Sequence, residues 1–379
     1  MQQVPQARSD IGALPIRAKG PHVQVVRSRD GLAEMRSLWE ALARRAAWAS
    51  PMQHHSWTRI YAEVFGLDRE LEVMLAEDSQ AASIAPLRRT KRGLRRRLEF
   101  VCFHGHIDEP NDFVYGEGAD VTALVQAVAG SGLPLVLRRI RADSPTLAAL
   151  RRAYRGRGIV VCREGVSCPW LALDASWANP EDHVNAGRRS DLRRARRAAE
   201  KMGTLATEIL APKPEELPAF LEEVYRLEAM EWKKQAGTAL LCRPRLKEFY
   251  SRFAAAASAE GMLRLCFLRI GGRAAAMQYA IESANRFWLL KIGFAAEFAR
   301  CSPGILLMVE TIRYAARAGL RSYEFLGEDE PWISTWTPLS HPCVSFRAYP
   351  LNARGIAAYL AGTAARYRPL GRIAAWMER

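Results

Sequence analysis

The most suggestive residue spacing for chemistry is Arg300-Cys301-Ser302-Pro303-Gly304-Ile305-Leu306-Leu307. Ser302 suits a helix N-cap, and Pro303 suits the first helical position, where a missing N–H costs nothing. Gly304 in the first turn lets another atom come close to the backbone. Such a helix start leaves free N–H groups and the positive end of the helix dipole, which fits a phosphate or pyrophosphate. Arg300, just ahead of the cap, adds charge. A well-capped structural helix would read the same way.

Other constellations carry less. His104, His106 and Asp108 alternate along a strand end and have the types to hold zinc or iron. The same run continues as Glu109-Pro110-Asn111-Asp112, which reads equally as a polar loop mouth, and without a further ligand motif no metal is expected. His54 and His55 are adjacent and cannot share a helical face; they read as a cap and a surface residue. Cys301 at a helix start would have a lowered pKa, but no Cys-His signature surrounds it. Two basic clusters stand out, Arg88 to Arg97 and Arg188 to Lys201. Neither interleaves aromatics, so sequence-specific nucleic-acid recognition is disfavoured, while non-specific phosphate contact stays open.

The elements that must position these residues alternate between strands and helices, an α/β or α+β signature. His22 to Arg27 reads as a strand, and Asp30 caps a helix carrying Leu32, Met35, Trp39 and Leu42. A second helix presents Trp57, Ile60, Tyr61, Val64 and Phe65. Strands follow at Glu70 to Glu77, Ala82 to Arg88 and Leu98 to Phe103. Thr122 to Ala129 and Thr146 to Tyr154 are helical, with strands at Leu133 to Ile140, Ile159 to Cys162 and Trp170 to Leu173. The second half opens on a basic helix, Asn185 to Gly203. Strand Thr204 to Leu210 and helices near Glu215 to Gln235 and Arg245 to Glu260 come next. Leu263 to Ile270, Gly271-Gly272 and Arg273 to Ile281 predict a hairpin, because Gly-Gly supplies the positive φ of a two-residue turn. A strand Phe287 to Ile292, a helix Pro303 to Ala318 and strands Ser322 to Leu326 and Val344 to Tyr349 complete the order. Val73 to Leu87 echoes Leu265 to Tyr279, with Ala82 opposite Ala274, in agreement with two similar domains.

The chain has 379 residues, 49% apolar and 25% charged, which excludes a mostly disordered protein. Its net charge of +15 favours anionic partners such as phosphates, nucleic acid, acidic lipid or a CoA-type cofactor. Seven scattered cysteines without a C-x-x-C pair argue against a disulfide framework and read as a reducing cytoplasm. Met1 to Gly20 lacks the apolar core of a signal peptide, and no run approaches the roughly 18 apolar residues of a spanning helix. The tail mixes Ile356, Tyr359, Leu360 and Trp376 with arginines. It could lie on an anionic membrane surface, though packing on its own domain is favoured.

The second half resembles the GNAT acyltransferase superfamily, in the branch of the cellulose-biosynthesis acetyltransferases (CelD/BcsL-like) and near the Fem-type peptidyltransferases. Four pieces carry the resemblance: Gly187-Arg188-Arg189-Ser190-Asp191-Leu192-Arg193-Arg194, then Glu231-Trp232-Lys233, then Ser302 to Leu307, then Tyr323-Glu324-Phe325-Leu326-Gly327-Glu328 with Trp336. Ala85-Pro86-Leu87 and Asp112-Phe113 fit the family's upstream domain. Two positions depart from it: Ala295 stands where an acid is common, and Trp332-Ile333 where Tyr-Lys is common.

The resemblance implies two tandem GNAT-like domains, each a mixed, mainly antiparallel sheet flanked by helices. A loose segment 1–21 would precede domains at 22–175 and 176–350 and a basic amphipathic helical tail at 351–379. It implies direct acyl transfer without a covalent acyl-enzyme, with acetyl-CoA or another acyl-CoA as donor. The acceptor would be a small molecule or a saccharide precursor. Ile292, Arg300, Ser302, Gly304, Ile305 and Leu306 would face the cofactor. Glu324 is the first candidate for the base that takes the amine proton, with Glu328, Asp329 and Glu330 as alternatives. Tyr323 or Tyr314 could protonate the departing thiolate. An aminoacyl-tRNA donor of the Fem type, and a non-catalytic phospholigand-binding protein on the same fold, are the alternatives.

Overall fold

The computed structural model describes residues 22–46, 48–77, 81–92, 95–103, 107–229 and 240–364. Expectations placed on residues 1–21, His104, His106, Glu231-Trp232-Lys233 and the tail from 365 onward lie outside the described residues.

The first half runs β1 (His22–Val26), α1 (Arg29–Glu34), α2 (Arg36–Arg45), α3 (His55–Phe65), β2 (Val73–Glu77), β3 (Ala82–Ala85), β4 (Leu87–Arg92), β5 (Arg95–Phe100) and β6 (Val114–Tyr115). It continues with α4 (Thr122–Gly130), β7 (Leu135–Arg141), α5 (Pro145–Ala153), β8 (Gly158–Glu164) and β9 (Cys168–Ala172). The second half runs α6 (Ala186–Glu200), β10 (Leu205–Leu210), α7 (Leu217–Glu228), α8 (Pro244–Ala259), β11 (Leu263–Ile270), β12 (Arg273–Ser283) and β13 (Arg286–Phe294). It ends with α9 (Pro303–Arg317), β14 (Ser322–Glu324), β15 (Ser340–His341), β16 (Cys343–Pro350) and α10 (Ala353–Ala364).

Local chemistry accounts for the boundaries. Ser28, rather than Asp30, caps α1, its Oγ accepting the Gly31 N–H at 3.1 Å. Asn185 caps the basic helix α6 by accepting the Arg188 N–H at 2.9 Å. The β11–β12 turn is the expected two-residue one, with Gly271 and Gly272 at φ +57° and +77° and Ile270 opposite Arg273. His55 is not a surface residue. It is buried, with Nε2 2.7 Å from the Leu32 carbonyl, because α3 packs its first turn under α1.

The fold is α+β, with mixed and antiparallel sheets flanked by helices. The first sheet has the order β1-β2-β3-β6, the second β4-β5-β7-β16-β8, and the third β10-β11-β12-β13-β14-β9-β15. Each half lends a strand to the other. β9 of the first half pairs with β14 in the third sheet, and β16, expected as the last strand of the second half, lies between β7 and β8 in the second. The core is shared as well: Trp57 on α3 meets Phe249 and Phe253 on α8 edge-on, with centroids 4.9 and 4.8 Å apart. Burial of such rings is a major stabilising term. Arg139, buried and at φ +47°, donates to the Asp108, Ser167 and Gly327 carbonyls and ties loops of both halves together.

A candidate acyl-donor cavity

The cavity begins where two strands part. β13 pairs in parallel with β14 only over Arg286–Trp288 against Ser322–Glu324, then runs on to Phe294 paired with β12 alone. A register shift between Tyr279 and Ala280 of β12 leaves Leu290 of β13 without an opposite number in β12. Ile292, Gly293 and Phe294 of the free stretch, with Met277 and Gln278 of β12, form one wall of a cavity of about 440 Å³. The opposite wall is Ala299 and Ser302 to Ile305, followed by Met308 one turn into α9. Glu228, at the end of α7, and Glu330 and Trp332, on the loop after β14, close the rim. The lining is mainly apolar with a few convergent polar groups, the usual character of a ligand site.

Gly293 brings α7 to the wall. A Cβ there would stand 2.4 Å from the Leu227 carbonyl oxygen and 2.9 Å from the Glu228 Cα, so the helix end rests directly on the strand backbone. Glu228 is buried and accepts the Leu240 N–H at 2.8 Å. Beneath it lies Lys291, its Nζ 4.9 Å from the Tyr250 ring centre. Burial pushes the Lys291 ammonium down, but the Tyr250 hydroxyl, Glu109 and Glu228 outweigh this and hold it above the ordinary lysine value.

The start of α9 differs from the expected cap. Ser302 is left-handed, at φ +47° and ψ +53°, and its side chain makes no cap bond. The reason is local: its N–H closes the preceding 3-10 turn on the Ala299 carbonyl, and its own carbonyl accepts from Ile305 and Leu306. Among the described residues the Gly304 N–H has no acceptor, and a Cβ on Gly304 would meet nothing within 4 Å. An open donor at a helix N-terminus thus faces the cavity, with the exposed Ser302 hydroxyl beside it.

Of the expected cofactor residues, Ile292, Ser302, Gly304 and Ile305 meet in this one cavity. Leu306 and Arg300 are not in its lining. Leu306 borders a neighbouring polar cleft with Arg189, Arg193 and Arg196 of α6, and the Arg300 Nε lies 3.3 Å from the Met202 sulfur. Glu324 stands elsewhere. It is fully buried, bound by Arg286 at 2.6 Å, Ser322 at 2.7 Å and His341 at 3.1 Å. Burial pushes its carboxyl up, but His341, Arg286 and Ser322 together outweigh this and hold it below the ordinary glutamate range. Tyr323 is buried too, its hydroxyl 3.1 Å from Thr311 Oγ1 and donating to Gln278 Oε1 at 3.1 Å, so it reaches the cavity only through Gln278. Glu328 is exposed and outside the lining, whereas Glu330, two residues on, borders the cavity. Cys301 is buried with its thiol donating to Phe298 O at 2.9 Å, and burial pushes its pKa up rather than down. Glu228, Gln278 and Met308 were not singled out in the sequence. Glu228 is hidden there because the helical pattern runs on past it, whereas α7 ends at that residue. Among the described residues no three His, Cys, Asp or Glu side chains group as metal ligands, and no helix is long and apolar enough to cross a membrane.

Comparison with known proteins agrees with this geometry. Residues 186–333 match the family model Acetyltransf_6, described as an acetyltransferase (GNAT) domain, a stretch holding both cavity walls and the whole rim. The match covers well under half of the chain and marks that stretch as similar to a GNAT acetyltransferase domain. The whole fold resembles the C-terminal domain (DUF2156) of a putative lysylphosphatidylglycerol synthetase from Agrobacterium fabrum, with TM-score 0.54 and 14% identity, covering 89% of this chain and 96% of that one. It also resembles FemX, with TM-score 0.55 and 12% identity over 84% of this chain and 96% of that one. A comparison with curated proteins finds no match.

Proposed function

We propose that the protein is an acyl-CoA-dependent N- or O-acyltransferase working by direct transfer, with acetyl-CoA or another acyl-CoA as donor. The acceptor we assign is a small molecule or saccharide precursor, in keeping with the CelD/BcsL-like branch, and the setting is the cytoplasm. One observation carries the reading: the parted β13 and β14 open onto a helix start whose Gly304 N–H is unsatisfied, inside the stretch that matches a GNAT domain. Ser302, Gly304 and Ile305 would receive the pyrophosphate of CoA, and the β13 backbone near Ile292 would lie along the thioester. The acceptor nitrogen or oxygen attacks the thioester carbonyl, the carbon–sulfur bond breaks, and CoA leaves as thiolate. The proton given up by the acceptor goes to a carboxylate on the rim, Glu330 or Glu228. Glu324 has no place in that step because it is sealed and ion-paired; we assign it to holding β14 and β15 together.

The test is thiol release from acetyl-CoA and longer acyl-CoAs with panels of amine and sugar acceptors, run beside charged tRNA as an alternative donor. Acceptor-dependent thiol release supports the reading. Transfer only from aminoacyl-tRNA would favour the Fem-type alternative, for which the exposed arginines of α6 would supply the phosphate contacts. No transfer from either donor would leave a phospholigand-binding protein on this fold.

A further inference from the structure

Another cavity, of about 310 Å³, lies between the second sheet and α10. It shares no element with the acyl-donor cavity. Arg96 and Arg97 from β5 and Arg347 from β16 line it, with the Thr90 hydroxyl and the Tyr349 ring. The strand register explains the convergence. Arg97 stands opposite Thr90, while Arg347 stands opposite Val136, two residues before Arg138 on the same strand. β5 and β16 flank β7 on either side, so guanidinium groups from three strands share one sheet face.

These cations are poorly compensated. Among the described residues Arg97 has a single carboxylate partner, Glu99 at 2.7 Å, and Glu99 is already held by the buried Arg88 at 2.6 Å. Arg96 and Arg347 have no ion pair among the described residues, and the Arg347 Nε is buried without a hydrogen-bond partner. Arg138, outside the lining with its guanidinium 4.5 Å from the Phe103 ring centre, is held below the ordinary arginine value by burial; Asp108 opposes this, while Arg347 and Arg97 add to it. Like charges gathered on one face, with an unsatisfied buried donor among them, are what an anion with several acceptor oxygens would relieve.

We propose that this arginine-lined cavity is an anion site that takes a phosphate or pyrophosphate group, separate from the acyl-donor cavity. Arg97 from β5 and Arg347 from β16 both line the cleft, and Thr90 adds a hydroxyl. The group can belong to a soluble phosphorylated ligand or to an anionic lipid headgroup. α10, which forms one side of the cleft through Ala358 and Gly362, exposes Ile356 and Leu360 to solvent.

The experiment titrates inorganic pyrophosphate into the full-length protein by calorimetry, alongside Arg96→Gln, Arg347→Gln and Gly304→Trp. Arg96 is exposed, so its replacement leaves the fold intact even if Arg347→Gln does not. The proposal predicts that each arginine substitution weakens pyrophosphate by about tenfold or more, the loss of a charge-assisted hydrogen bond. Gly304→Trp, which blocks only the other cavity, should remove at most the binding event at that cavity and leave the arginine-dependent event unchanged. A parallel arm measures cosedimentation with phosphatidylglycerol and with phosphatidylcholine vesicles. Arginine-dependent binding to the anionic vesicles identifies a lipid headgroup as the source, and its absence with pyrophosphate binding retained identifies a soluble ligand. The proposal is overturned if the arginine-dependent pyrophosphate binding is lost in Gly304→Trp. It is also overturned if Arg96→Gln and Arg347→Gln leave both pyrophosphate and vesicle binding as in the wild type.

Discussion

Glu324→Gln separates two roles that the sequence left joined. The side chain is fully buried and bound by Arg286 at 2.6 Å, Ser322 at 2.7 Å and His341 at 3.1 Å. Glutamine keeps the shape but removes the charge, leaving the Arg286 guanidinium without its carboxylate in a site that excludes water. Breaking a buried pair at one partner costs about 3–5 kcal/mol. A domain of 150–250 residues loses about 2–4 °C of Tm per kcal/mol, and a longer chain somewhat less, so the midpoint should fall by roughly 5–10 °C. The turnover of the fraction that remains folded should stay within a few-fold of wild type. Calorimetric unfolding and a thiol-release assay at a temperature well below both midpoints read the two quantities separately. An unchanged midpoint with turnover down by two or more orders of magnitude would refute the structural role and make Glu324 the base.

Gly293→Ala should cost about 1–3 kcal/mol, the usual penalty for overpacking, and should lower kcat, because its Cβ would force the end of α7 and Glu228 off the strand. Wild-type unfolding and turnover in that variant would contradict the close approach. His54 is held at about 4 by burial, so the folded protein keeps it neutral; its contribution is complete above the unfolded value of 6.5 and disappears as pH falls toward 4, up to about 3 kcal/mol. Imidazole titration by NMR near pH 6.5 would contradict this. Glu324, held below the ordinary range, contributes stability that is present above about pH 4.5 and lost as pH falls through its folded value. That acid limb should be missing from the unfolding profile of Glu324→Gln. If the rim carboxylates take the acceptor proton, Glu330→Gln or Glu228→Gln should remove the acidic limb of the pH–rate profile without weakening donor binding, and a full profile in both variants would exclude them.

Much of the fold was legible because the patterns that encode it are local. The Gly271-Gly272 turn, the apolar stripe of α3 and the Ser302-to-Leu307 helix start each declare themselves within a few residues, and the structure builds each in place. Exchange of strands is not local. Nothing in Trp170 to Leu173 distinguishes pairing with β14 from pairing within its own half, and Val344 to Tyr349 is as good a neighbour for β7 and β8 as for the third sheet. The same limit explains the acid. Glu324 and Glu330 are equally acidic in sequence, and only the partners gathered from β13 and β15 seal the first, while the loop carries the second to the cavity rim. Ser302 shows a third limit, since its left-handed backbone follows from the 3-10 turn before it rather than from its own preference as a cap.

Under the proposed function, the cavity between β13 and the start of α9 holds the acyl donor. Isothermal titration of acetyl-CoA into wild type and Gly304→Trp tests it most directly, because an indole there would grow into the space above the unsatisfied N–H. The expected result is saturable binding to wild type, binding lost in Gly304→Trp, and unfolding midpoints for the two apo proteins within a few degrees of each other. Undiminished affinity in Gly304→Trp would place the donor elsewhere and contradict it.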